Sequence, residues 1–118
     1  MSINFVVEGE PRPKQSFRYA KGGGYTPASV KAWQEAVAWE AKIAMKGEDL
    51  LTGWLKVTLL FMLGNNRRVD IDNLSKCVLD AMNGIVYEDD TKISQLDLEK
   101  MTSHEKPGVI VIVDMLET

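Results

Sequence analysis

Apolar residues recur along this chain in two periods, and each change of period marks a change of element. Ile3 to Glu8 alternates loosely around Phe5, Val6 and Val7, which predicts a first strand. No period runs from Gly9 to Pro27. From Ser29 onward Val30, Trp33, Val37, Ala41 and Ala44 recur at helical spacing, with Pro27 suited to an early helical position and Gly47 to a stop after about Lys46. In the stretch from Leu51 to Leu63, the residues Leu55, Val57, Leu59, Phe61 and Leu63 return to the period of two, a strand that ends before Gly64-Asn65-Asn66. Leu74, Cys77, Val78, Ala81 and Met82 then mark a second helix, closed by Asn83-Gly84. Ile93 to Met101 alternates as a half-buried strand with a polar face, Lys106-Pro107-Gly108 turns the chain, and the β-branched run Val109 to Met115 suits an interior strand. The order β, loop, α, β, α, β, β predicts an α/β (α+β) domain: a small mixed sheet with two main helices on one face.

A chain of 118 residues with 45% apolar content suits one domain over residues 1–118. No apolar run reaches the roughly 18 residues of a membrane span, and no basic-then-apolar leader opens the chain, so a cytoplasmic location is expected. The single cysteine, Cys77, has no internal disulfide partner, and its place on the apolar stripe predicts a small buried hydrophobe. Trp33 and Trp39 are expected in the core or at a subunit interface, and His104, in a turn, is expected to be exposed and inert.

Charge changes the picture more. The net charge of -3 argues against a polyanionic partner until its distribution is read. Residues 11–31 carry Arg12, Lys14, Arg18, Lys21 and Lys31 with no acid, while residues 48–118 carry 13 acids against 7 bases. The basic stretch lies in the aperiodic connection between Gly9 and Pro27, among Phe17, Tyr19, Tyr25 and Gly22-Gly23-Gly24. Bases interleaved with aromatics suit phosphate contact and base stacking, and so long a connection is uncommon unless it is functional or disordered.

The densest chemistry lies between Arg67 and Asp90. Asp70 and Asp72 flank Ile71, and in an extended backbone both carboxylates leave one face. Asp72 suits an N-cap, with Lys76 and Asp80 following at four-residue steps opposite the apolar stripe. The chain then returns through Tyr87 to Glu88-Asp89-Asp90. Magnesium takes one or two carboxylates with water and phosphate oxygens, so Asp70 and Asp72, joined by Asp90 or Asp89, form a candidate metal set for phosphodiester cleavage. Lys76 is placed to meet the attacking water or the scissile phosphate, and Arg67 and Arg68 the flanking phosphates. An EF-hand is excluded, because Ser75 and Ala81 stand where its loop needs Gly and Glu. A plain salt-bridge ladder of Asp72, Lys76 and Asp80 explains the helix, but neither the arginines nor the second acidic cluster.

Arg68-Val69-Asp70-Ile71-Asp72-Asn73-Leu74 with Lys76, then Asp80-Ala81-Met82-Asn83-Gly84 and Glu88-Asp89-Asp90 before Lys92-Ile93, resembles the RusA family of Holliday junction resolvases, commonly carried by phages and prophages. Gly9-Glu10-Pro11-Arg12-Pro13-Lys14 and Tyr25-Thr26-Pro27 extend the resemblance over nearly the whole chain. It implies that Asp70, Asp72 and Asp90 bind magnesium, that Lys76 assists catalysis, and that a homodimeric α/β fold makes paired symmetric nicks across a four-way DNA junction in recombination and repair. DNA contacts then fall to Arg12, Lys14, Arg18, Arg67 and Arg68. A two-fold dimer also follows from symmetry, since paired nicks need two related active sites. Two other functions fit the same residues: a catalytically inactive DNA-binding or phage-assembly protein of this fold, and a nuclease for flaps or single strands.

Overall fold

A computed structural model describes residues 1–14, 18–20, 23–25, 27–66 and 68–116, with 18–20 and 23–25 as backbone. Its elements are β1 (Ser2–Glu8), β2 (Arg18–Ala20), β3 (Gly23–Tyr25), α1 (Ala28–Met45), β4 (Leu55–Leu63), α2 (Ile71–Met82), β5 (Ile93–Thr102) and β6 (Gly108–Met115), with a single 3-10 turn at Asp90–Lys92. The periodicities therefore predict every main element in order. Four strands form one sheet in the order β1-β6-β4-β5, and β2 pairs with β3 as a separate small hairpin inside the basic connection.

Alternation decides which face of the sheet is covered. In β4 the odd residues Leu55, Val57, Leu59, Phe61 and Leu63 are buried while Lys56, Thr58, Leu60 and Met62 are half-buried on the other face. Ile3, Phe5 and Val7 of β1 and Val109, Val111 and Val113 of β6 line the same covered face, beneath Val30, Trp33, Val37 and Ala41 of α1 and Leu74, Cys77 and Val78 of α2. Each such side chain contributes about 1.5–3 kcal/mol when fully buried, so this single layer supplies most of the folding drive. The interior strand forecast at Val109 to Met115 is β6, paired on one side with β1 and on the other with β4.

β4 and β5 run parallel, with Leu55 opposite Ile93 and Leu63 opposite Thr102. Parallel neighbours require a crossover, and α2 is that crossover. Residues 64–70 thus lead from the carboxyl end of β4 to the start of α2, the end of a parallel pair where α/β proteins bind their ligands. The return from α2 is held by Tyr87, which is fully buried and donates its hydroxyl to the Leu79 carbonyl at 2.8 Å.

The structure sharpens three expectations. β5 is an edge strand whose residues are exposed except for the partly buried Ile93 and Leu98, because α2 leans only lightly on it. Trp33 is in the core, whereas Trp39 is 64% exposed, which removes it from the core and leaves the subunit interface as its expected place. The left-handed residue that stops α1 is Lys46 (φ 53), with Gly47 following at φ 74. Cys77 is buried as expected.

Gly108, at the start of β6, pairs with Glu8, and a Cβ there would stand 2.4 Å from the Val7 carbonyl oxygen. Gly108→Ala is therefore expected to separate β1 from β6 and cost about 2 kcal/mol, as overpacking typically does. Thermal denaturation checks this; an unchanged Tm would mean that the strands yield without loss.

Candidate active site at the start of helix α2

Asp70 is the N-cap of α2, in extended backbone at φ -68, and Asp72 lies in the first helical turn. Both differ from the expected strand alternation with Asp72 as cap. What groups the two carboxylates is the amino end of a helix, where free N–H groups and the helix dipole favour negative charge. The Asp70 carboxylate makes no cap bond to the backbone. Instead its Oδ2 receives the Asn73 side-chain amide at 3.4 Å, and both Asp70 and Asp72 are exposed. Lys76 is exposed one turn further along. The ladder of Asp72, Lys76 and Asp80 does not form among the described residues: Asp80 pairs with Lys14.

Segment 64–70 carries few apolar groups and is held by polar ones. The Gly64 N–H donates to both carboxylate oxygens of Glu10, at 3.2 and 2.9 Å. Its carbonyl lies 2.8 Å from Nδ1 of His104, and because a carbonyl only accepts, the ring proton sits on that nitrogen. Thr102 donates to Oδ1 of Asn66 at 2.7 Å, and the Lys100 ammonium donates to the Val69 carbonyl at 2.6 Å. His104 is thus exposed, as expected, but bonded to the loop. Arg68 is exposed beside the acids; Arg67 and the Arg18 side chain lie outside the described residues. Lys14 reaches α2 twice, its N–H donating to the Asn73 carbonyl at 2.9 Å and its ammonium bonding Asp80, while Arg12 is half-buried upstream.

Asp90 does not join Asp70 and Asp72 within one chain. It precedes β5, whose amino end lies beside the amino end of β4, while Asp70 follows the carboxyl end of β4. Asp90 keeps company with Asp89, Asp80 and Lys14 instead. Asp80 follows Asp70 by ten residues of α2, about 15 Å of helix rise. No group of three acidic, histidine or cysteine residues close enough to share an ion occurs among the described residues. The expected convergence therefore fails for a single chain, because the parallel crossover carries the two acidic clusters to different ends of α2.

Residues 8–114 match the family model described as endodeoxyribonuclease RusA. The chain belongs to the RusA endodeoxyribonuclease family. It is 32% identical over 113 residues, 92% of this chain and 88% of the relative, to a protein of Aquifex aeolicus named crossover junction endodeoxyribonuclease RusA. It is also 29% identical over 136 residues, 94% of each chain, to the uncharacterized protein YqaN of Bacillus subtilis.

In this RusA-family chain the chemistry of the donor set fits a hard cation. Asp70 and Asp72 are exposed oxygen donors with no cation paired to them among the described residues, which leaves their charge for an added ion. The second cluster differs. Asp89 caps the 3-10 turn by accepting the Thr91 N–H at 3.3 Å, so it has a structural task that Asp90 lacks. A hydrogen bond with Asp89 holds the Asp90 carboxyl above its usual range, helped by partial burial and the charges of Asp89 and Asp80, and opposed by Lys14. The same surroundings act on neighbours: burial, then Asp80, push the Cys77 thiol up to about 11, and burial raises the Tyr87 phenol. The sequence offered no motif for Lys100 or Thr102, and the stretch around Glu10 gave no sign of its bond to Gly64; each bonds a segment at least 31 residues away, which strand register and order bring in.

A carboxyl whose pKa is raised by folding favours the folded state below its unfolded pKa and loses that contribution as pH rises through the folded one. Ionised Asp90 is thus a liability at neutral pH. Asp90→Asn is expected to raise Tm at pH 7, with the difference from the parent closing below about pH 4, where the carboxyl is protonated in both states. A lower Tm at pH 7 would identify Asp90 as a structural partner instead.

Proposed function

We propose that this chain is a magnesium-dependent endodeoxyribonuclease that resolves four-way DNA junctions by paired symmetric nicks, in recombination and repair in the cytoplasm. The observation that carries this reading is the pair of exposed carboxylates, Asp70 and Asp72, with no cation paired to them among the described residues, at the end of a parallel strand pair where ligands bind, in a RusA-family chain. Asp70 and Asp72 would hold the ion, with water and phosphate oxygens completing its shell. Bound magnesium supplies activation of water and stabilisation of the leaving oxygen. Lys76, one turn along α2, bears on the charge that develops at the scissile phosphate, and Arg67 and Arg68 hold the phosphates on either side. Arg12, Lys14 and Arg18 supply salt-dependent affinity; in the free protein Lys14 is occupied by Asp80, so DNA exchanges one anion for another.

A metal set that includes Asp90 needs a second copy of the chain, since one chain keeps Asp90 apart from Asp70 and Asp72. The two-fold dimer that paired nicks require supports that arrangement. The test of the whole reading is incubation of the purified protein with a labelled four-way junction and with linear duplex, with magnesium and with chelator. Magnesium-dependent nicking of the junction in preference to duplex is expected; binding without cleavage would leave a non-catalytic DNA-binding protein, and cleavage of flaps or single strands in preference would shift the substrate.

Asp72→Asn keeps the shape of the side chain and removes one charge from the ion. Nicking is expected to fall by about two orders of magnitude or more, with Tm little changed and junction binding retained or tightened. A variant that nicks at close to the parent rate would remove Asp72 from the catalytic set. Neutralising Lys14 and Arg18 together is expected to flatten the dependence of log affinity on log salt by about two units, roughly one per lost phosphate contact. An unchanged slope would take the arm out of the DNA interface.

A further inference from the structure

We infer that Lys100, an exposed residue of edge strand β5, is a positioning residue that sets the Asp70 carboxylate for its ion; the inference rests on the metal reading of Asp70. The geometry is a single bond with a specific consequence. The Lys100 ammonium donates to the carbonyl of Val69 at 2.6 Å, and that carbonyl shares its peptide plane with the N–H of Asp70. Fixing the plane fixes the backbone from which the Asp70 side chain leaves. An aspartate at an N-cap ordinarily gives its carboxylate to the backbone N–H groups of the first turn. Asp70 makes no such bond. Among the described residues its carboxylate receives only the long Asn73 amide contact of 3.4 Å, so the helix start is held from the carbonyl before it and the carboxylate faces a ligand.

The register explains how Lys100 comes to be there. It stands opposite Phe61 two residues before the end of β4, on the sheet face that α2 covers, and so looks along that face toward the residues that lead into α2. The hydrogen bond is charge-assisted, the stronger kind, and a lysine ordered at an exposed site gives up side-chain freedom to make it. The neighbouring bonds from Thr102 to Asn66 and from His104 to Gly64 hold the earlier part of the same segment, so among these bonds that of Lys100 is nearest the acid.

Manganese binding followed by electron paramagnetic resonance on the full chain, alongside junction nicking over a magnesium series and thermal unfolding, tests this with Lys100→Met, Lys100→Arg and Asp70→Asn. Expected for Lys100→Met are manganese affinity weaker by about ten-fold or more, the loss typical when a group that orients a metal ligand is removed, and a rightward shift of the magnesium needed for half-maximal nicking. Lys100→Arg, which keeps a charged donor, is expected to restore both. If Lys100→Met does not fold, Lys100→Gln, neutral and too short for the span, takes its place. Parent-like manganese affinity in a folded Lys100→Met or Lys100→Gln variant, or failure of Lys100→Arg to rescue, overturns the positioning role. Parent-like manganese binding by Asp70→Asn overturns the metal reading itself, whatever the Lys100 variants do.

Discussion

Two parallel strands cannot be joined by a tight turn, and the parallel pairing of β4 with β5 sets the remaining geometry of this protein. The chain must leave the carboxyl end of β4, cross the sheet face and re-enter at the opposite end. α2 makes that crossing. Its amino end, with Asp70 and Asp72, is consequently presented beyond the end of β4, and its far end meets Asp89 and Asp90 just before β5 begins. One pairing decision thus creates an exposed acidic pair at a helix start and, separately, a crowded acidic group two to three turns away.

The segment that joins β4 to α2 carries glycine, asparagine and arginine, and it lacks the apolar groups that would seat it in the core. Four polar side chains hold it instead: Glu10 from the root of the basic arm, and Lys100, Thr102 and His104 from the end of β5 and the turn after it. Three of these bonds, from Glu10, Lys100 and His104, go to the loop's backbone, and Arg68 and the two acids remain exposed. Rigid support under a polar surface is the arrangement that a phosphodiester site needs, since misplacing the reacting groups by about 1 Å is costly.

Charge at the second cluster works against the fold. Asp80, Asp89 and Asp90 repel one another, and only Lys14 answers them from the described residues. Local rules broken without gain for stability mark functional sites more often than structural ones. The same lysine belongs to the basic arm, so the arm and the acidic end of α2 are electrically linked before any DNA arrives.

The sequence by itself determined the elements, because periods of two and of 3.6 are local properties of side-chain direction: β1, α1, β4, α2, β5 and β6 all lie where alternation or helical spacing put them. It also determined that β6 is interior, through its unbroken β-branched run, and it marked Asp70, Asp72 and Lys76 by a motif short enough to be read along the chain. Family membership was legible in the same residues. Tertiary structure alone decided what depends on register and strand order: that Asp70 and not Asp72 caps α2, that β5 is a bare edge, and that Asp80 bonds Lys14 and not Lys76. It also decided that Asp90 stands apart from the acids it was expected to join, and that Lys100 reaches Val69 across 31 residues. The physical reason is common to these cases. Periodicity records which way a side chain points relative to its own strand or helix, but the partner it meets is set by the direction in which neighbouring strands run, and nothing local in the chain states that β4 and β5 are parallel.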